Sequence, residues 1–290
     1  IGTTFAWFTD TASTSVSKIQ SGNLDVTLEY AAGKTDGQIV WESAEGKLLQ
    51  FLVNGQIPPQ KDDGTYAPIL WEPGCTYELP ALRVTNGGNL ALKYKVQITG
   101  IKGDAMLNTV IDWTIGDVAL GTEQHLAAGA ANEFVIKGHM QETAGNDYMN
   151  KSIDGISVTV VATQDTVESD SINNTYDANA TYPEYTVDTA AAFVNAAKEG
   201  GIITVAKDVD PEETVVANGT AVVDLNGKTV ANTNDVWDVK PNDWSLISAQ
   251  NGANLTVSGN GTLKAKENDC YAVEVQEDRK STRLNSSHMN

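Results

Sequence analysis

One stretch constrains this chain more than any other. Leu90, Leu92, Tyr94, Val96 and Ile98 alternate with Lys93, Lys95, Gln97 and Thr99. Successive side chains of a strand point to opposite faces, so this spacing predicts a half-buried β-strand and excludes an amphipathic helix. The same period recurs in Leu24, Val26, Leu28 and Tyr30, and again in Ile156, Val158, Val160 and Ala162. Asn86-Gly87-Gly88-Asn89 reads as a hairpin turn, because Gly and Asn tolerate positive φ. Several such strands with turn signals between them predict an all-β fold, with an antiparallel β-sandwich of jelly-roll or immunoglobulin-like type over residues 7–166. Residues 31–69, with Pro58-Pro59 and Asp62-Asp63-Gly64, break the alternation and read as an insertion.

The texture changes after Asp165. Residues 167–186 are rich in Asp, Ser, Asn and Thr and read as a linker. Asp188 or Thr189 is placed to cap a short helix over Ala190–Glu199, with Ala190, Phe193, Val194 and Ala197 on one face and Gly200-Gly201 as the stop. Short β runs follow at 202–206, 221–225, 246–249, 255–257 and 271–275, with Asn-Gly pairs at Asn218, Asn226, Asn251 and Asn260. Short strands at coil-like spacing predict a truncated right-handed parallel β-helix over residues 187–277, capped by the helix; a small sandwich is the alternative.

The formal net charge is −19 over 290 residues. Such a surface repels nucleic acid and anionic lipid, which argues against either as a partner. No run of about 18 apolar residues is present, so no membrane span is expected. Cys75 and Cys270 lie far apart and are expected to be unpaired.

Catalytic signals are absent from the pattern, and no enzyme activity or cofactor is expected. His125 and His139 stand in no zinc-ligand spacing, and neither a Gly-x-Ser-x-Gly elbow nor a phosphate-binding Gly-rich loop occurs. Asp62, Asp63, Asp208 and Asp210 are weak calcium candidates through their oxygen ligands, the alternative being acidic turns that bind nothing.

Two sets of residues carry a resemblance. Ala6-Trp7-Phe8-Thr9-Asp10 with Ser21–Val26, and Trp71-Glu72-Pro73-Gly74 with Leu82–Tyr94, resemble the TasA/camelysin family of secreted bacterial matrix-fibre proteins. The likeness spans about residues 3–30, 70–100 and 152–166. It departs from the family in the insertion and at Cys75, where the family often has Asp. The resemblance implies export by a dedicated signal peptidase. Thr4 and Ala6 fit its small-residue pattern, with cleavage after Ala6 and residues 1–6 as the end of a signal peptide. It implies a biofilm-matrix or cell-surface location and self-association, or association with a related matrix subunit. Assembly in that family proceeds by donor-strand addition, which here falls on Trp7 to Ser17 with Trp7, Phe8 and Val16 as anchors. The alternative is that this segment is the first strand of its own sandwich. The absent His-Glu-x-x-His counts against a camelysin-type protease activity.

Thr220–Thr229 resembles the opening coil of pectate-lyase-like β-helices. That implies a possible polysaccharide partner, and a second function as a carbohydrate-active protein with its site in coils beyond this sequence; a monomeric adhesin is the third. Asp278 to His288 resembles a translated sequencing adapter, which implies that residues 278–290 are an artefactual tail.

Overall fold

The computed structural model describes residues 24–165, 180–211, 213–233, 245–265 and 270–275. The expected signal remnant, the anchors Trp7, Phe8 and Val16, and the tail at 278–290 lie outside these residues. What is described is mostly β, with antiparallel sheets before residue 165 and parallel sheets after residue 183.

The antiparallel strands are β1 (Val26–Thr35), β2 (Gln38–Ser43), β3 (Thr76–Glu78), β4 (Leu82–Asn86), β5 (Leu92–Gly103), β6 (Ile111–Ile115), β7 (Val118–Ala119), β8 (Gln124–Leu126), β9 (Ala131–Phe134), β10 (Ile136–Met140) and β11 (Ile153–Gln164). They form three sheets, ordered β2-β1-β4-β9, β3-β10-β6-β7 and β11-β5-β8. Inward residues of all three sheets meet in a core that includes Leu82, Val84, Leu92, Tyr94, Val96 and Ile136, and a second cluster gathers Leu107, Val110, Ile111 and Met140. The alternation of 90–98 marks this face correctly, since Leu92, Tyr94 and Val96 are each at most 1% exposed.

Two expectations for the antiparallel region need correction. The alternation does not stop at residue 31. β1 continues to Thr35 and turns through Asp36 (φ 51°) and Gly37 (φ 81°) into β2. A bulge between Ala31 and Gly33 breaks the period, and the hairpin is largely exposed, so no apolar face marks it. The irregular stretch is narrower, 44–75.

Nor is Asn86–Asn89 a hairpin. β4 pairs with β1 and β9, whereas β5 pairs with β11 and β8, so the turn carries the chain between two sheets. The Asn86 side chain is fully buried. Its amide donates to the carbonyls of Leu90 (2.8 Å), Leu126 (3.3 Å) and Ala127 (3.2 Å), and its oxygen accepts from Gly88 N–H at 3.0 Å. Neither Gly87 nor Gly88 has positive φ. What Gly87 supplies is space, because a Cβ there would lie 2.7 Å from Asp25 Oδ2.

The later strands are β12 (Glu184–Val187), β13 (Gly201–Val205), β14 (Val215–Ala217), β15 (Thr220–Asp224), β16 (Lys228–Ala231), β17 (Ser245–Ala249), β18 (Asn254–Ser258), β19 (Gly261–Lys264) and β20 (Tyr271–Val275). All pair in parallel, in sheets ordered β12-β13-β15-β18, β14-β17-β20 and β16-β19. The chain visits the three sheets in turn, and Asn226-Gly227 and Asn251-Gly252, all with positive φ, make corners between them. Helix α1 (Ala190–Glu199) is capped by Thr189, whose hydroxyl accepts from Ala192 N–H, and buries Phe193, Val194, Ala196 and Ala197. β12 begins inside the stretch expected to be a linker and takes its last three residues. It is a strand because it pairs in register with β13, Glu184 opposite Ile202 through Val187 opposite Val205.

Candidate assembly site

The site is a groove of about 600 Å³ between β5 and β6, lined by Gln97, Ile98, Ile111, Asp112, Trp113, Thr114, Ala119, Leu120 and Gly121. Its walls are two strand edges. Along a strand in a sheet, the backbone groups of alternate residues point to opposite edges. Asp165 N–H bonds the Ala91 carbonyl on the β11 side, and Gly121 N–H bonds the Val96 carbonyl on the groove side. Even-numbered residues of β5 therefore turn their backbone toward the groove.

β8 pairs with β5 only over Leu92–Tyr94. Beyond the Val96 carbonyl, the Ile98 N–H and C=O face the groove, and no strand among the described residues pairs with them. On the far wall, Leu120 N–H bonds the Trp113 carbonyl, so the odd residues of β6 face inward. β7 pairs only with Thr114 and Ile115, which leaves the Ile111 backbone, at the same groove as Ile98, without a partner strand among the described residues.

The aromatic floor is held in place. Trp113 Nε1 donates to Asn108 Oδ1 at 2.8 Å, and its ring lies 6.0 Å from Phe51 and 6.1 Å from Trp71. Trp71 in turn packs at 5.1 Å on Tyr77. Gly138 makes this possible, since a Cβ there would sit 2.7 Å from both Trp113 and Trp71 ring carbons. Asp112 is engaged by Gln141 at 2.9 Å.

The other face of β5 is covered. Lys93 and Lys95 lie 5.6 and 4.3 Å from the Tyr182 ring, and Lys95 Nζ is 3.8 Å from Glu184. Gln97 donates to Glu184, and Tyr182 donates to Glu123 at 2.9 Å. Burial and the facing carboxylate push the Tyr182 phenol well above its ordinary range, while the Tyr182 and Lys93 donors hold Glu123 below the usual carboxylate range. His125 Nδ1 meets Asp165 at 2.7 Å and His125 Nε2 stands 3.8 Å from Glu123. Asp165 and Tyr182 are thus tied to one patch of β8 and its approach.

Three of the calcium candidates are hydrogen-bond acceptors, Asp63 within its own turn and Asp208 and Asp210 toward residues 21 and 23 positions on. Asp63 Oδ1 accepts from Thr65 N–H and Oγ1, which lowers its pKa. Asp208 accepts from Thr229 N–H at 2.8 Å, and Asp210 from Thr233 N–H at 3.1 Å. Asp62 adds no ligand to them: among the described residues no group of three or more His, Cys, Asp or Glu comes together. His139 Nδ1 meets Thr76 Oγ1 at 2.8 Å. Cys75 and Cys270 form no disulfide.

No family model matches the chain, and no curated protein is similar to it. Among solved structures, the FixG-related protein from Vibrio parahaemolyticus aligns at 12% identity with a TM-score of 0.21, over 31% of this chain and 66% of that one. A likeness that slight carries no argument about fold or function. No helix among the described residues is long and apolar enough to cross a membrane.

Proposed function

We propose that this is a secreted bacterial cell-surface or biofilm-matrix protein that works by assembly rather than catalysis. Its antiparallel part serves as a TasA-like sandwich, and its parallel part as the first coils of a right-handed β-helix carried as a displayed module. Trp7 to Ser17 of one copy enters the groove of another, where its backbone pairs with Ile98 and Ile111. Strand addition of this kind draws its affinity from main-chain hydrogen bonds and its selectivity from alternate side chains in pockets.

The observation that carries the reading is an open groove between β5 and β6 whose lining joins the apolar Ile98, Ile111, Trp113 and Leu120 to the polar Gln97, Asp112 and Thr114. The donor's chemistry suits it. Residues 1–17 hold a single charged side chain, Asp10, in a chain of net charge −19, so this segment approaches a second copy without strong repulsion. Burying Trp7 and Phe8 contributes on the order of 2–3 kcal/mol each before ordering costs.

The test compares the chain starting at Trp7 with a chain lacking Trp7–Ser17, by electron microscopy and sedimentation at raised concentration. The first is expected to form filaments and the second to remain a folded monomer. A deletion that unfolds the protein assigns the segment to its own sandwich and overturns the reading.

A further inference from the structure

The groove has an end, and the parallel region supplies it. At Gly100 β5 bulges: Thr99 pairs with Ser157, but the next partners are Lys102 and Gly155, and Gly100 adopts φ 61°. Only glycine suits this position, where a Cβ would lie 2.7 Å from the Ser258 side chain at the end of β18. Being even-numbered and entering the bulge from the regular part of the strand, Gly100 directs its N–H toward the same edge as Ile98. That N–H is already taken, because it donates to Asp224 Oδ2 at 2.8 Å. The other oxygen of Asp224 is held by Asn226 N–H at 2.9 Å, so the carboxylate is fixed from its own turn. Three residues on, Asn260 occupies both backbone groups of Gly103.

We propose that Asp224 is an end stop for strand insertion, so that both regions of the chain build the acceptor groove. An entering N-terminal strand of a second copy pairs with Ile98 on one wall and Ile111 on the other, and halts where the Asp224 carboxylate holds Gly100. On the near side the window is bounded by Gly121, whose N–H holds the Val96 carbonyl. The window on β5 is thereby one residue's pair of backbone groups long. That limits each insertion to a weak, register-defined backbone contact on β5. This inference rests on the donor-strand reading, and it adds to it the register and a length limit set from the parallel region.

The experiment titrates a fluorescent peptide of residues 7–17 into the full chain, kept dilute enough to stay monomeric, as wild type, Asp224→Ala and Ile98→Pro. Binding is followed by anisotropy, and backbone amides by NMR. Wild type is expected to bind, with peptide-dependent shifts at Ile98 and Ile111 and none at Gly100; Ile98→Pro, which lacks the inward N–H, should not bind. Asp224→Ala should bind roughly threefold to tenfold more tightly, the gain from one further backbone hydrogen bond, with Gly100 now shifting. A Gly100 shift in wild type, which needs no variant to fold, or unchanged or weaker binding by Asp224→Ala, overturns the end stop while leaving strand donation intact. If no form binds the peptide, strand donation and the end stop fall together.

Discussion

The Asn260 side-chain amide pairs with the Gly103 backbone in both directions, Nδ2 donating to the carbonyl at 2.8 Å and Oδ1 accepting from the N–H at 3.2 Å. A side chain here takes the place of a neighbouring strand. With Asp224 on Gly100, it joins the parallel region to β5 through main-chain groups. Asn260→Ala should lower stability by about 1 kcal/mol, the net worth of exposed bonds of this type. The sharper readout is local: amide exchange at Gly103 should accelerate while core amides of β4 keep their rates.

Asn86 makes a larger contribution because it is buried. Asn86→Leu removes the groups that satisfy Gly88 N–H and three carbonyls at the corner between β4 and β5. A loss of roughly 2–4 kcal/mol in chemical denaturation is expected, since buried partners left without bonds carry their desolvation cost. Asn86→Asp should fare no better, because a carboxylate donates nothing to the carbonyls of Leu90, Leu126 and Ala127.

Gly138→Ala is predicted to damage the aromatic cluster without touching the backbone pairing of β10. The new methyl group meets Trp71 and Trp113 at 2.7 Å, and overpacking of this kind costs about 1–3 kcal/mol. Near-ultraviolet circular dichroism should change while the far-ultraviolet spectrum is preserved.

The pair Arg83–Glu29 sets a pH dependence. Arg83 Nε lies 2.7 Å from Glu29, and this bond chiefly holds the Glu29 carboxyl below its ordinary value of 4.5. A lowered folded-state pKa means the stabilisation is present above the unfolded value and is lost as pH falls through the folded one. Urea midpoints of wild type and Arg83→Met should therefore differ most above pH of about 5 and converge in more acid solution. A remainder that does not vary with pH is expected, because Arg83 also lies 4.6 Å from the Trp41 ring.

How much of this was legible follows from what side-chain patterns encode. The inward face of β5, the helix capped by Thr189 and the five short β runs after Gly200 show directly in apolar spacing and in Thr, Gly and Asn positions. The Asn86 corner does not, because Asn-Gly-Gly-Asn serves equally for a hairpin or for a step between sheets, and only the pairing of β4 and β5 with different partners decides. The groove escapes for a deeper reason. Period-two alternation reports which face a residue occupies, whereas the groove is made of backbone edges, whose partners leave no mark on residue type. The Gly100 bulge and the reach of Asp224 across 124 positions are of the same kind.

His125 anchors Asp165, and Glu123 anchors Tyr182. Because Glu123 and His125 lie two positions apart, one short stretch at β8 and its approach grips a residue at the end of the antiparallel region and another just before β12, so a substitution there acts on both regions at once.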